Sequence, residues 1–126
     1  MTLTTQDRFK AALKTIRAAG ATTRMNVRSC CQGCAILPDV DMLVWTFGGQ
    51  GNAYSFHNGE MVKSDKLAKL RKRGYGTLAE RDHVDALYLN FSTVEAGQAA
   101  NFAFQDQGFV TEWDGSIHQS VIVKFI

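Results

Sequence analysis

Apolar side chains recur at two different periods along this chain, and the changes of period mark its elements. Phe9, Ala12, Leu13, Ile16 and Ala19 fall on one side of a 3.6-residue period, with Asp7, Arg8, Lys10, Lys14 and Arg17 elsewhere. That stripe predicts an amphipathic helix over 5–19. Thr4 suits its N-cap with Asp7 in a capping box, and Gly20 suits the left-handed residue after its end. In "RMNVRS" the pattern switches to alternation, Arg24, Asn26 and Arg28 against Met25, Val27 and Ser29, which predicts a short half-exposed strand. "DMLVWTF" (41–47) and "NAYSFH" (52–57) read as two strands joined by the hairpin loop "GGQG".

"SDKLAKLRKRG" (64–74) predicts a short helix capped by Ser64, with Asp65 in the first turn, cations in the last and Gly74 as the stop. A polar connector, "YGTLAERDHVD", leads to the strand "ALYLNF" (86–91), with Leu87, Leu89 and Phe91 on one face. "STVE" (92–95) reads as a capping box with Ser92 as N-cap, opening a helix to about Gln107 that ends at Gly108. Small residues along it (Ala96, Ala99, Ala100, Ala103) allow close approach to a sheet. "GFVTEWDGSIHQSVIVKFI" reads as a hairpin with Asp114-Gly115 in a two-residue type I′ turn. Leu13, Ile16, Leu87, Leu89, Val121 and Val123 are the predicted core, joined by Phe125. The fold class these elements predict is α+β: one domain over 1–126, mainly antiparallel, with helices on one face and a C-terminal strand–helix–hairpin.

Composition keeps that picture and narrows the setting. With 126 residues, 45% hydrophobic and 21% charged, the chain fits one globular domain and its composition argues against disorder. No run of about 18 apolar residues predicts a membrane span, and the N-terminal stretch lacks the pattern of a signal peptide. Three cysteines crowded into one loop do not make a secreted disulfide framework. The expected location is cytoplasmic.

Charge does change the picture. The net charge is only +2, yet Lys63, Lys66, Lys69, Arg71, Lys72 and Arg73 face a single anion, Asp65, within one short segment. Without that segment eight basic side chains remain against eleven acidic ones, so the rest of the chain is net negative. Lys66, Lys69 and Arg73 share one helical side. The six cations, together with the exposed rim near Trp113–Ser116, are the candidate partner-binding residues. Only Tyr75 is an aromatic neighbour in sequence, little for base stacking, so a protein partner is expected ahead of nucleic acid. The plain alternative for a charged helix is a solvated face.

Two stretches, "RMNVRSCCQGC" (24–34) and "LYLNFS…QGFVTEWDGSIHQSVIV" (87–123), resemble a family of small uncharacterised proteins of actinobacteria, related bacteria and their phages. Members of that family open with a helix and continue to a Cys-Cys-x-x-Cys motif. They carry an aromatic strand ending in His, here "AYSFH", and close with a strand, a helix and a Trp-Asp-Gly hairpin. Residues 58–85 lie outside the resemblance. It implies the same fold outline and a bacterial or phage setting, and it draws notice to Cys30, Cys31, Cys34, Trp113, Asp114 and Gly115. The family carries no established activity.

The cysteines allow three readings. Cys31-x-x-Cys34 can grip zinc, with His57 or Cys30 as further ligand, giving a zinc-stabilised domain. The same pair can serve a thiol oxidoreductase, although a helix before and strands after it do not make the β-α-β setting of such enzymes. The third reading is reduced thiols packed as small apolar side chains. "GGQG" lacks the following helix that a phosphate loop needs. "ERDHVD" clusters Glu80, Asp82, His83 and Asp85, but neighbours in an extended segment point apart. Motifs for a serine nucleophile or a zinc protease are missing, so the sequence leans away from an enzyme. It favours a small binding or regulatory module, with zinc as the one candidate cofactor.

Overall fold

The computed structural model describes residues 3–27, 37–49, 52–74 and 78–125. Cys30, Cys31, Cys34 and Tyr75 lie outside them. The elements in chain order are α1 (Thr5–Ala18), β1 (Thr22–Val27), β2 (Leu43–Phe47), β3 (Tyr54–His57), β4 (Glu60–Lys63), α2 (Ser64–Arg73), β5 (Ala86–Phe91), α3 (Val94–Asp106), β6 (Val110–Glu112) and β7 (Val121–Lys124). A 3₁₀ turn at Glu80–Asp82 precedes β5. Among the described residues, five strands form one sheet in the order β1-β2-β5-β7-β6, and β3 pairs with β4 in a second. β1 runs parallel to β2, and the other pairs are antiparallel. This is an α+β domain.

The core lies between that sheet and two helices. α1 begins as its sequence predicts: Thr4 accepts the Asp7 N–H, and Asp7 accepts the Thr4 N–H. Phe9, Ala12, Leu13 and Ile16 are buried on its inner side, while Ala19 is the exposed C-cap. Against them lie Ala96, Ala100, Ala103 and Phe104 of α3, and Val44, Leu87, Leu89, Val121 and Val123 of the sheet. Phe9 is the hub of an aromatic cluster, with ring centroids 5.4 Å from both Tyr54 and Phe104. Burial pushes the Tyr54 phenol well above its ordinary pKa. Gly97 brings α3 down onto the Phe91 ring, where a Cβ would stand 3.0 Å from it. Among the described residues no helix is long and apolar enough to cross a membrane.

Four local expectations need correction. The cap of α3 is Thr93, whose hydroxyl accepts the Ala96 N–H. Ser92 instead accepts the Leu43 N–H at 2.9 Å and donates to the Asp41 carbonyl, tying the strand end to β2. Ser64 is the first residue of α2 rather than its cap; its hydroxyl lies 2.6 Å from that of Ser55 across the hairpin. β2 and β3 do not form a hairpin, because β2 pairs with β1 and β5 while β3 pairs with β4. The type I′ turn sits at Asn58-Gly59, where both residues have positive φ (53° and 81°) between the paired His57 and Glu60. Asp114-Gly115 is part of a longer loop spanning 113–120, although Gly115 does have positive φ. Side chains build that loop. The Trp113 indole N–H donates to the Ser116 and Gln119 carbonyls, and Asp114 accepts the Ser116 N–H at 2.8 Å. Bonds from the Ser116 backbone and hydroxyl hold the exposed Asp114 carboxyl below its ordinary pKa.

Asn26 joins the two sheets. Its φ of 55° interrupts the β1–β2 register, and its backbone N–H turns to the Thr46 hydroxyl. Its side-chain amide then donates to the Tyr54 carbonyl at 2.9 Å and accepts the Tyr54 N–H at 3.1 Å. The amide thus replaces a peptide group at the edge of β3. Gly48 allows this, because a Cβ there would meet the Asn26 backbone at 2.6 Å.

Candidate functional site

α2 carries its cations because its apolar side is already committed. Leu67 and Leu70 are buried against Val62 and Leu78 in a small second core. The remaining positions face outward, and at helical spacing they bring Lys66, Lys69 and Arg73 to one side. The chain then returns beside the helix. Val84 N–H donates to the Met61 carbonyl and His83 forms a bridge with Val62, so 82–85 runs along β4. The 3₁₀ turn places Arg81 opposite α2. Lys66, Lys69, Lys72, Arg73 and Arg81 together border a groove of about 370 Å³, with Leu78 and Asp82. Asp82 is the one carboxylate among the described residues of its lining, and its Oδ2 accepts the Ala79 N–H at 2.9 Å. Among the described residues the single ion pair is Lys124–Glu112, on the β6–β7 hairpin.

The helix dipole accounts for part of this charge. Arg71, Lys72 and Arg73 occupy the last turn, where a cation gains about 0.3–1 kcal/mol. Lys63 at the N-cap and Lys66 in the first turn stand at the positive end, where a cation loses that amount. Lys66–Lys69, Lys69–Lys72 and Lys69–Arg73 are also like-charge neighbours on the helix, each costing about 0.2–0.5 kcal/mol. Helix formation therefore explains the C-terminal cations and opposes the others.

A second concavity lies on the sheet face that α1 and α3 leave open. Register separates the two faces. Leu87, Leu89, Val121 and Val123 face the helices, and the residues between them face outward. Tyr88 pairs with Ile122 and Trp45 with Asn90; beyond that pair β2 and β5 are no longer in register, and Phe47 and Tyr88 both line the cavity between them. Tyr88, on the central strand, is 61% exposed, and Val110 on the edge is 63% exposed. A cavity of about 490 Å³ opens among Phe47, Tyr88, Asn90, Ser120, Lys63 and Asp85. Ser120 donates to Asn90 Oδ1 at 2.9 Å, which fixes the amide at its rim.

Of the six sequence-picked cations, four border the basic groove, Lys63 borders the sheet cavity, and Arg71 is exposed beside neither. Trp113 is half-buried, its ring centroid 5.5 Å from that of Phe91 and its N–H committed within its own loop. His57 ends β3 in cross-strand register with Glu60. Among the described residues no group of three metal-ligating side chains converges. The Cys30, Cys31 and Cys34 site lies outside those residues.

Arg81, in a polar connector that reads as solvated, and the aromatic face are not among the residues that the sequence singles out. A signal for the second was present. On a sheet covered on one face, the outward positions are ordinarily polar, yet Trp45, Phe47, Tyr88 and Ile122 all occupy them. Compared with protein-family models, with curated proteins and with solved structures, the chain gives no significant match.

Proposed function

We propose that this domain is a binding module, not an enzyme, that docks an anionic macromolecule in the groove beside α2. The resemblance noted above supports a bacterial or phage setting. One observation carries the reading: Arg81, from a separate element, completes a ring of cations whose N-terminal members the helix itself disfavours. Like charges held together, unpaired with any carboxylate among the described residues, raise the local potential, concentrate polyanions and speed their capture. The same charges would gain little as a solvated face, because neutral polar side chains could occupy those positions without the repulsion.

The test is retention on an immobilised polyanion such as heparin at low salt. The wild-type domain should be retained, and a Lys66→Gln/Lys69→Gln/Arg81→Gln variant should elute near the void. Lys69 and Arg81 are exposed and Lys66 is half-buried, so the variant should keep its fold, within about 0.5 kcal/mol per site, which a melting curve checks. Equal retention of the two proteins would refute the reading.

A further inference from the structure

We infer that the anionic ligand is single-stranded nucleic acid, with its phosphates on α2 and one or more bases stacked at Tyr88 on the open sheet face. The inference rests on the polyanion reading above and adds the identity of the ligand. The two concavities are walled by the same two chain segments. Lys63 borders the sheet cavity and Lys66, three residues on, borders the basic groove. On the facing segment Arg81 and Asp82 border the groove, while Val84 and Asp85 border the cavity. A strand crossing from one to the other passes Lys63 and Lys66 in order.

The chemistry of the two places is complementary to the two halves of a nucleotide. The groove supplies positive charge for phosphate. The cavity supplies an aromatic ring that is 61% exposed on the central strand, and Phe47 lines the same cavity. Aromatic side chains on an open sheet are a sequence-tolerant platform for unpaired bases. Around that ring stand Asn90, Ser120, Asn52 and Asp85, an amide–hydroxyl–carboxylate set suited to base edges. Asp85 also discriminates between ligand classes. A carboxylate in the cavity repels an acidic peptide but can accept from the amino group of a base. A duplex keeps its bases paired and stacked, so it could use the groove but not the platform. The proximity of Tyr88 to the basic helix appears only in the fold, since Tyr88 follows the helix by a long connector in sequence.

The experiment is fluorescence anisotropy at low salt with three probes: a labelled single strand of about 15 nucleotides, near the footprint of one small domain, its duplex, and polyglutamate. Wild type should prefer the single strand. Tyr88→Ala should weaken that binding roughly 5- to 100-fold, the loss of one stacked base, and Tyr88→Phe should restore it. The duplex should bind more weakly and respond less than about twofold to Tyr88→Ala. Melting curves confirm that each variant is folded. Equal single-strand affinity for wild type and Tyr88→Ala overturns this inference and leaves the α2 reading intact. A preference for polyglutamate does the same. Failure of all three probes to bind overturns both.

Discussion

The two faces of the central sheet are built from alternate residues of the same strands, and they obey different rules. On the inner face Val44, Leu89, Val121 and Val123 are fully buried beneath α1 and α3. Removal from water accounts for every one of them, at about 25 cal/mol per Å². One residue away, Trp45, Phe47 and Ile122 are half-buried and Tyr88 is exposed, so removal from water accounts for less of the apolar surface placed there. The inner face shows what folding requires of a strand. The outer face shows what remains when that requirement is subtracted, and what remains is aromatic and next to a cationic groove.

Adjacent residues of β5 put the sharpest strain on this contrast. Leu89→Ala should cost about 2–5 kcal/mol, the transfer term plus a cavity, whereas Tyr88→Ala should cost under about 1 kcal/mol. Urea melts of the two variants measure both. Similar losses would mean that the outer face is also core. Asn26→Ala comes next. It leaves the Tyr54 N–H and carbonyl without partners and puts alanine at positive φ, so it should cost about 2–4 kcal/mol. Amide exchange should quicken in β3 and β4 more than in β5 and β7, because Asn26 holds the hairpin that walls the outer cavity. Uniform loss of protection would remove that role. Thr93→Ala should cost about 1 kcal/mol through loss of the α3 cap. An unchanged midpoint would return the cap to Ser92.

What the sequence made legible follows from range. The capping box at Thr4–Asp7, the helical stripe of α1 and the alternation of β5 are set by neighbours a few residues apart, and they predicted both the elements and the buried side chains. Errors arose where two local chemistries competed. Ser92 and Thr93 are both good caps, and Ser92 was drawn away by the Leu43 N–H, a partner distant in sequence. Asp114-Gly115 and Asn58-Gly59 both suit a type I′ turn. Only the second is closed by strands in register on both sides, while Trp113 and Asp114 use their own side chains to open the first into a loop. The candidate site divides in the same way. The α2 cations form a continuous run and were read directly. Arg81 and Tyr88 join them through a return of the chain along β4 that no local pattern announces.

Polyanion binding in the α2 groove should show itself in the salt dependence of binding to a single-stranded oligonucleotide. Contact of all five groove cations with phosphates implies a slope of log K against log salt near −3.5, at about −0.7 per phosphate, or roughly a 100-fold loss between 50 and 200 mM. The Lys66→Gln/Lys69→Gln/Arg81→Gln variant should retain about two-fifths of that slope, near −1.4. A slope close to zero for the wild-type domain, or the same slope for both proteins, would contradict it.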